Sequence, residues 1–248
     1  YPEKAEIIGY KPRSSGHPLQ IKRAAAALKE SKRPLICSGG GVLSSGTKLK
    51  LLAFAEKTGI PVVSTMMGLG AMPTNSPLFY GMLGMHGCKA ANTAVNSCDT
   101  LVLLGARVGD RAIAAMEQRD DLTVIHVDID PAEIGKNLDV DIPIVGALTL
   151  VLGQLLEAVS AGEHSDWKQW LDGYREDKAM QPAPAGFVNP KEFIRTLDKY
   201  LPDDAVVVAD VGQNQIWTAR NITINGGRFL TSGGMGTMGY SIPAAIGA

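Results

Sequence analysis

A doubly wound α/β fold, a parallel sheet with helices on both faces, is what the sequence predicts, and three observations carry that expectation. Short apolar runs recur along the chain, the segments between them have helical spacing, and the runs lack the polar alternation of a sheet with one wet face. Strands that are apolar on both faces and separated by helices belong to parallel sheets covered on both sides. The 248 residues are 45% hydrophobic and 20% charged, proportions that exclude disordered and fibrous classes.

The elements follow in order. The start is extended and rich in proline, with Pro2 and Pro12 ahead of a helix expected over residues 19–30. Apolar runs at 34–38, 61–64, 101–104, 124–127 and 142–145 read as buried strands, and residues 47–57, 89–96 and 113–118 as the helices between them. Leu148, Val151, Leu152, Leu155 and Val159 are spaced to form one apolar helix face. A polar, Trp-containing helix follows His164, and Gln181 to Gly186 begins a linker over 181–189. The pattern then restarts, with a helix at 190–201 capped by Asn189 and a strand at 205–209. The expected division is therefore a first domain over 1–180, a linker, and an incomplete second domain over 190–248 in which the last helix has barely begun. Both ends read as cut, so the chain is expected to be a piece of a longer polypeptide.

Composition narrows the function. Lys and Arg number 24 against 25 Asp and Glu, a net charge of −1, with no basic stripe for a nucleic acid. No apolar stretch approaches the roughly 18 residues of a membrane span, and no signal region opens the chain. Cys37, Cys88 and Cys98 contain no CxxC pair, so neither a disulfide framework nor a metal site is expected, and a reducing cytoplasm is the default location.

Ligands of doubly wound sheets bind at the carboxyl ends of strands. Candidates there are Ser38 to Gly41, which reads either as a tight turn or as a phosphate contact, and Thr65 to Gly70. Gly81 to Gly87 is read as preceding a helix rather than completing a strong strand. Arg107 and Arg111 flank Asp110 in a run suited to a phosphate or carboxylate. Asp128 stands where an acid accepts from a ribose hydroxyl, and Asp130, followed by Pro131 and Glu133, fits a helix start. In the second domain Asp210 to Gln215 ends a strand, and residues 231–239 hold four glycines ahead of a helix. Together these describe a dinucleotide groove beside a second cofactor loop.

Two blocks, Gly81-Met-Leu-Gly-Met-His-Gly87 and His126-Val-Asp-Ile-Asp-Pro-Ala-Glu-Ile-Gly135, resemble those flanking the flavin site of the catalytic large subunit of acetolactate synthase (acetohydroxyacid synthase), a thiamine-diphosphate-dependent family. Val211 to Gln215 and Thr231 to Gly239, running into Pro243 to Ala248, resemble its thiamine-diphosphate domain. The resemblance covers nearly the whole chain. It implies a Rossmann-like central domain with FAD, structural rather than redox-active, held by Thr65, Met66, Leu83, Gly84, Met85, His86, Gly105, Ala106, Arg107, Val108, Asp128 and Ile129. It implies thiamine diphosphate contacted by Gln213 and Asn214 at the diphosphate and by Gly236, Thr237 and Met238 around the aminopyrimidine. It further implies Arg111 at the carboxylate of a 2-ketoacid substrate, and Mg²⁺ whose ligands lie outside the chain. The implied reaction decarboxylates pyruvate and joins the two-carbon unit to a second pyruvate or to 2-ketobutyrate, in branched-chain amino-acid biosynthesis. A homodimer or homotetramer and a small regulatory subunit are the implied partners. The implied activating glutamate and Mg²⁺ ligands are absent here, so the piece alone is expected to be inactive.

Three positions depart from the family. Val108-Gly109-Asp110-Arg111 stands for Phe-Asp-Asp-Arg, Asn214 for a frequent His, and Gly146-Ala147 for Gly-Asp. Alternatives are a pyruvate oxidase, glyoxylate carboligase or 2-ketoacid decarboxylase of the same superfamily, and a non-catalytic nucleotide-binding module. An NAD dehydrogenase would need GxGxxG at the first strand turn, which Ser38 to Leu43 lacks.

Overall fold

The computed structural model describes residues 14–114, 116, 117, 119–175 and 183–248; the expected extended start and residues 181 and 182 of the expected linker lie outside them. The first helix, α1 (Pro18–Glu30), starts where His17 Nδ1 accepts from Leu19 N at 3.3 Å and Pro18 presets the first turn. Then come β1 (Pro34–Ser38), a short α2 (Gly40–Ser44), and α3 (Lys48–Thr58), which stops at Gly59 with φ +67°. The next elements are β2 (Val62–Ser64), a 3-10 turn at Met66–Gly68, β3 (Phe79–Met82), α4 (Lys89–Ser97), β4 (Thr100–Leu104) and a one-turn α5 (Asp110–Ile113). They are followed by β5 (Thr123–Asp128), β6 (Ile142–Val145), α6 (Leu148–Ala158) and α7 (Ser165–Asp172).

These six strands form one parallel sheet in the order β3-β2-β1-β4-β5-β6. Alternation along each strand feeds two apolar layers. Ile36, Val62, Val102, Ile125 and Ile144 pack with α1, α3 and α6 on one face. Leu35, Cys37, Val63, Leu103 and Val124 pack with α4 and α7 on the other. All five residues of β1 and of β4 are buried, as expected of central strands.

The remaining elements are α8 (Pro190–Asp198), β7 (Val206–Val208), α9 (Gln213–Asn221), β8 (Arg228–Leu230) and α10 (Ser241–Gly247). Asn189 caps α8 by accepting from the N–H groups of Lys191 and Glu192, and β7 and β8 pair in parallel. Ile194, Ala219, Ile222, Ile224 and Phe229 join the same apolar cluster as Leu69, Ala71 and Met72 of the larger sheet's connections. Thr74 fastens the two parts: its N–H donates to the Ile224 carbonyl at 3.1 Å, and its Oγ1 accepts from Ile224 N at 2.8 Å.

Several expectations need correction. The Gly81 block precedes α4 as expected, but its first two residues, Gly81 and Met82, end a short edge strand, β3, that has positive φ at Gly81 (+99°) and a register shift against β2. The helix expected over 113–118 is instead α5, which ends at Ile113. Met116 turns into the apolar layer, and Glu117 N is bonded by Asn96 Oδ1 at 2.9 Å; residues 115 and 118 lie outside the described set. Asp130 starts no helix: its Oδ1 accepts from Ala132 N, and residues 131–135 form successive turns. Strand β8, which no apolar run marked, pairs with β7.

Candidate functional site

Because every strand of the large sheet runs the same way, its carboxyl ends share one edge. Thr65 and Met66 leave β2 there; Leu83 to His86 leave β3; Gly105 to Val108 leave β4; Asp128 and Ile129 end β5. The order reverses between β1 and β4, so the topological switch point lies between Ser38 and Gly105.

At that point two glycine segments touch backbone to backbone. A Cβ on Gly39 would come within 2.2 Å of the Gly105 carbonyl oxygen, and one on Gly41 within 2.8 Å of Gly105 Cα. Gly39 N donates to the Leu104 carbonyl at 2.9 Å and Gly41 N to the Gly105 carbonyl at 3.0 Å. Gly39 to Gly41 were legible as glycines after a strand; what sequence could not give was the partner, Gly105, more than sixty residues away.

Next to β3, Gly84 adopts φ +108°, and its N–H and carbonyl are both bonded by the Asn92 side chain at 2.9 and 3.0 Å. The Arg111 carbonyl accepts from Met85 N at 2.8 Å, which places Arg111 beside the Gly84–Met85 turn. Its guanidinium is exposed and only loosely paired with Asp110, at 3.9 Å. Leu83, Ala106 and Val108 are buried, whereas Met85 and Ile129 are exposed and His86 is half-buried. Asp128 is buried and accepts from Asp130 N through Oδ1 at 2.9 Å. On the same strand, burial pushes the His126 pKa down against the pull of Asp128, so the ring is neutral near pH 7.

In the second part, α9 begins at Gly212 (φ +129°) with no side-chain cap, leaving its first N–H groups open beside the exposed Gln213 and Asn214. Gly236, Thr237 and Met238 are exposed on the Gly-rich loop, and Thr237 N donates to Ser232 Oγ at 2.9 Å. Asp210 gathers this loop to the end of β7. Its Oδ1 accepts from Val211 N and Gly239 N at 2.9 and 3.1 Å, and its Oδ2 from Ser241 N and Oγ, both at 3.0 Å. Gln215 Nε2 bonds Thr231 Oγ1, tying α9 to the end of β8. The loop reaches the larger sheet too: a Cβ on Gly233 would meet Met67 Sδ at 2.3 Å.

Two buried polar atoms, Ser64 Oγ at the end of β2 and His126 Nε2 two residues before the end of β5, have no partner among the described residues. With the glycine-lined switch point, they give an unpaired polar set that fits a nucleotide-like group. The uncapped start of α9 beside an anchored glycine loop fits a diphosphate. Among the described residues, no cluster of three His, Cys, Asp or Glu is placed to hold a metal ion, and no helix is long and apolar enough to cross a membrane.

Known proteins match this layout. Residues 210–248 match the family described as "Thiamine pyrophosphate enzyme, C-terminal TPP binding domain". The chain is 46% identical over 259 aligned residues to a probable acetolactate synthase large subunit of Methanocaldococcus jannaschii, covering 100% of the chain and 44% of that protein. It is 42% identical to the acetolactate synthase large subunit of Corynebacterium glutamicum and to an acetolactate synthase of Mycobacterium leprae, again over 100% of the chain and 41% of each relative. The chain therefore spans less than half the length of these relatives. The description "Thiamine pyrophosphate enzyme, central domain" matches residues 21–155, more than half of the chain, and the chain belongs to the thiamine pyrophosphate enzyme family.

Proposed function

We propose that the polypeptide carrying this chain is an acetolactate synthase catalytic subunit, which condenses two 2-ketoacids with loss of CO₂. The observation that carries this reading is that identity to acetolactate synthases runs through both parts of the chain, over all of its length. Thiamine diphosphate, when bound, supplies the electron sink for decarboxylation. The chain's own residues bind and orient. The open N–H groups at the start of α9, with Gln213 and Asn214, take the diphosphate end, while Gly236, Thr237 and Met238 face the ring system. Arg111, cationic and only loosely paired, takes the carboxylate of the acceptor ketoacid. FAD, as a structural group, is held along the shared strand edge by Thr65, Met66, Leu83 to His86, Gly105 to Val108, Asp128 and Ile129. Contact between Gly233 and Met67 brings the thiamine loop against the flavin edge. Mg²⁺, assembly as a homodimer or homotetramer, a small regulatory subunit and a cytoplasmic location complete the proposal.

The test is to supply the full-length polypeptide with pyruvate, thiamine diphosphate, Mg²⁺ and FAD and to identify the product. Acetolactate, formed only with thiamine diphosphate and reduced by Arg111→Ala, is the expected result. Acetate with peroxide, or acetaldehyde alone, would move the chain to another branch of the family, and no turnover of any 2-ketoacid would leave a nucleotide-binding module.

A further inference from the structure

The turn after β4 takes an unusual path. Gly105 has φ +55° and Val108, a β-branched residue, φ +46°, in the left-handed region that such side chains avoid. Backbone of this kind persists only when its surroundings determine it. Gly105 is fixed by the sheet: its N–H donates to the Val127 carbonyl at 2.9 Å, and its carbonyl accepts from Gly41 N. The carbonyls of Arg107 and Val108 turn toward the segment after β5. Asn137 Nδ2 donates to both the Arg107 carbonyl (3.3 Å) and the Val108 carbonyl (3.1 Å).

A trans peptide is planar, with its N–H opposite its carbonyl. Turning the carbonyls of Arg107 and Val108 toward Asn137 therefore turns the N–H groups of Val108 and Gly109 the other way. Neither of these two N–H groups donates to a described residue. Successive free N–H groups around a left-handed residue form a concavity that suits an anionic group.

We infer that Asn137 is a positioning residue for the dinucleotide: by holding two consecutive carbonyls it aims the Val108 and Gly109 N–H groups at the ligand's diphosphate, without touching the ligand itself. This rests on the reading above, that the strand edge binds FAD. Asn137 is itself exposed, so its loss removes no core packing.

The test titrates FAD into the full-length polypeptide and into its Asn137→Ala and Asn137→Asp variants, following flavin fluorescence, with the thermal midpoint of each ligand-free protein measured alongside. Asn137→Asp keeps the shape but sets a carboxylate against two carbonyl oxygens. Lys136→Ala, whose ammonium reaches Glu133 at 3.1 Å instead, is the neighbouring control. Expected is a dissociation constant weakened about tenfold in the alanine variant and more in the aspartate variant, the alanine figure being roughly one hydrogen bond. The ligand-free midpoints and the Lys136→Ala affinity should stay near the parent's. Unchanged affinity in both Asn137 variants, with tight binding by the parent, would overturn the positioning role alone. Absence of FAD binding by the parent would overturn the flavin reading, and the positioning role with it.

Discussion

Four donors converge on the carboxylate of Asp210, and the Ser241 backbone N–H is the largest of the influences that hold its pKa below the ordinary 3.8. A carboxyl whose folded pKa is depressed stabilises the folded state fully above its unfolded pKa and loses that contribution as pH falls through the folded value. Asp210→Asn should therefore loosen the Gly-rich loop at neutral pH, read as faster amide exchange at Gly239 and Ser241. The difference from the parent should close only as the pH falls below 3.8 and through the depressed folded value, where both side chains become neutral. At the switch point, Gly39→Ala drives a methyl group into the Gly105 carbonyl and Ala106 Cα, at 2.2 and 2.5 Å. An expected cost of about 1–3 kcal/mol, from denaturant unfolding, follows from overpacking against backbone that has nowhere to move. Sequence marked both residues as standing at strand ends. It did not give their partners, since Gly239 and Ser241 lie 29 and 31 residues from Asp210.

Elements were legible in proportion to how much apolar surface each carries. The central strands and α6 bury nearly every residue or one full face, and the sequence pattern placed them within a residue or two. The short pieces, β3, β8, α2 and α5, draw their positions from neighbours and glycines, and no local period reports them. Helix α7 shows how a polar segment is fixed: Trp167 is buried against the second apolar layer, donates through Nε1 to the Pro34 carbonyl at 2.9 Å, and stacks on Trp170 at 5.3 Å. Trp167→Phe keeps a ring but leaves that carbonyl unpaired in a buried setting, an expected loss of about 1–3 kcal/mol in chemical denaturation. On the outer edge of the sheet, Arg175 donates to the carbonyls of Phe79 and Pro77 and lies 4.0 Å from the Tyr80 ring, covering an edge strand that would otherwise be open. Burial, reinforced by the bond to Asp172, pushes the Tyr80 hydroxyl up to about 12, so it stays a hydrogen-bond donor at neutral pH.

Across the whole molecule, the two sheets share one apolar cluster, in which Ile194, Ile224 and Phe229 meet Leu69 and Met72. The stretch from Gln181 reads as a linker between two domains, and side-chain burial across that junction is invisible to a composition criterion. A shared core couples unfolding, so scanning calorimetry of the chain should give a single transition with calorimetric and van't Hoff enthalpies equal, rather than two resolved peaks. The strand order has a kinetic consequence as well. The central strand β1 pairs on one side with β2, close in sequence, and on the other with β4, where Leu35 meets Leu101. During synthesis the β1-β2-β3 half can assemble as soon as it emerges, while the seam with β4 must wait for a long loop to close. The glycine contact across that seam therefore forms late. A nascent chain holds a half-sheet with one bare apolar edge until Gly105 arrives, and that interval is when this polypeptide is most exposed to aggregation.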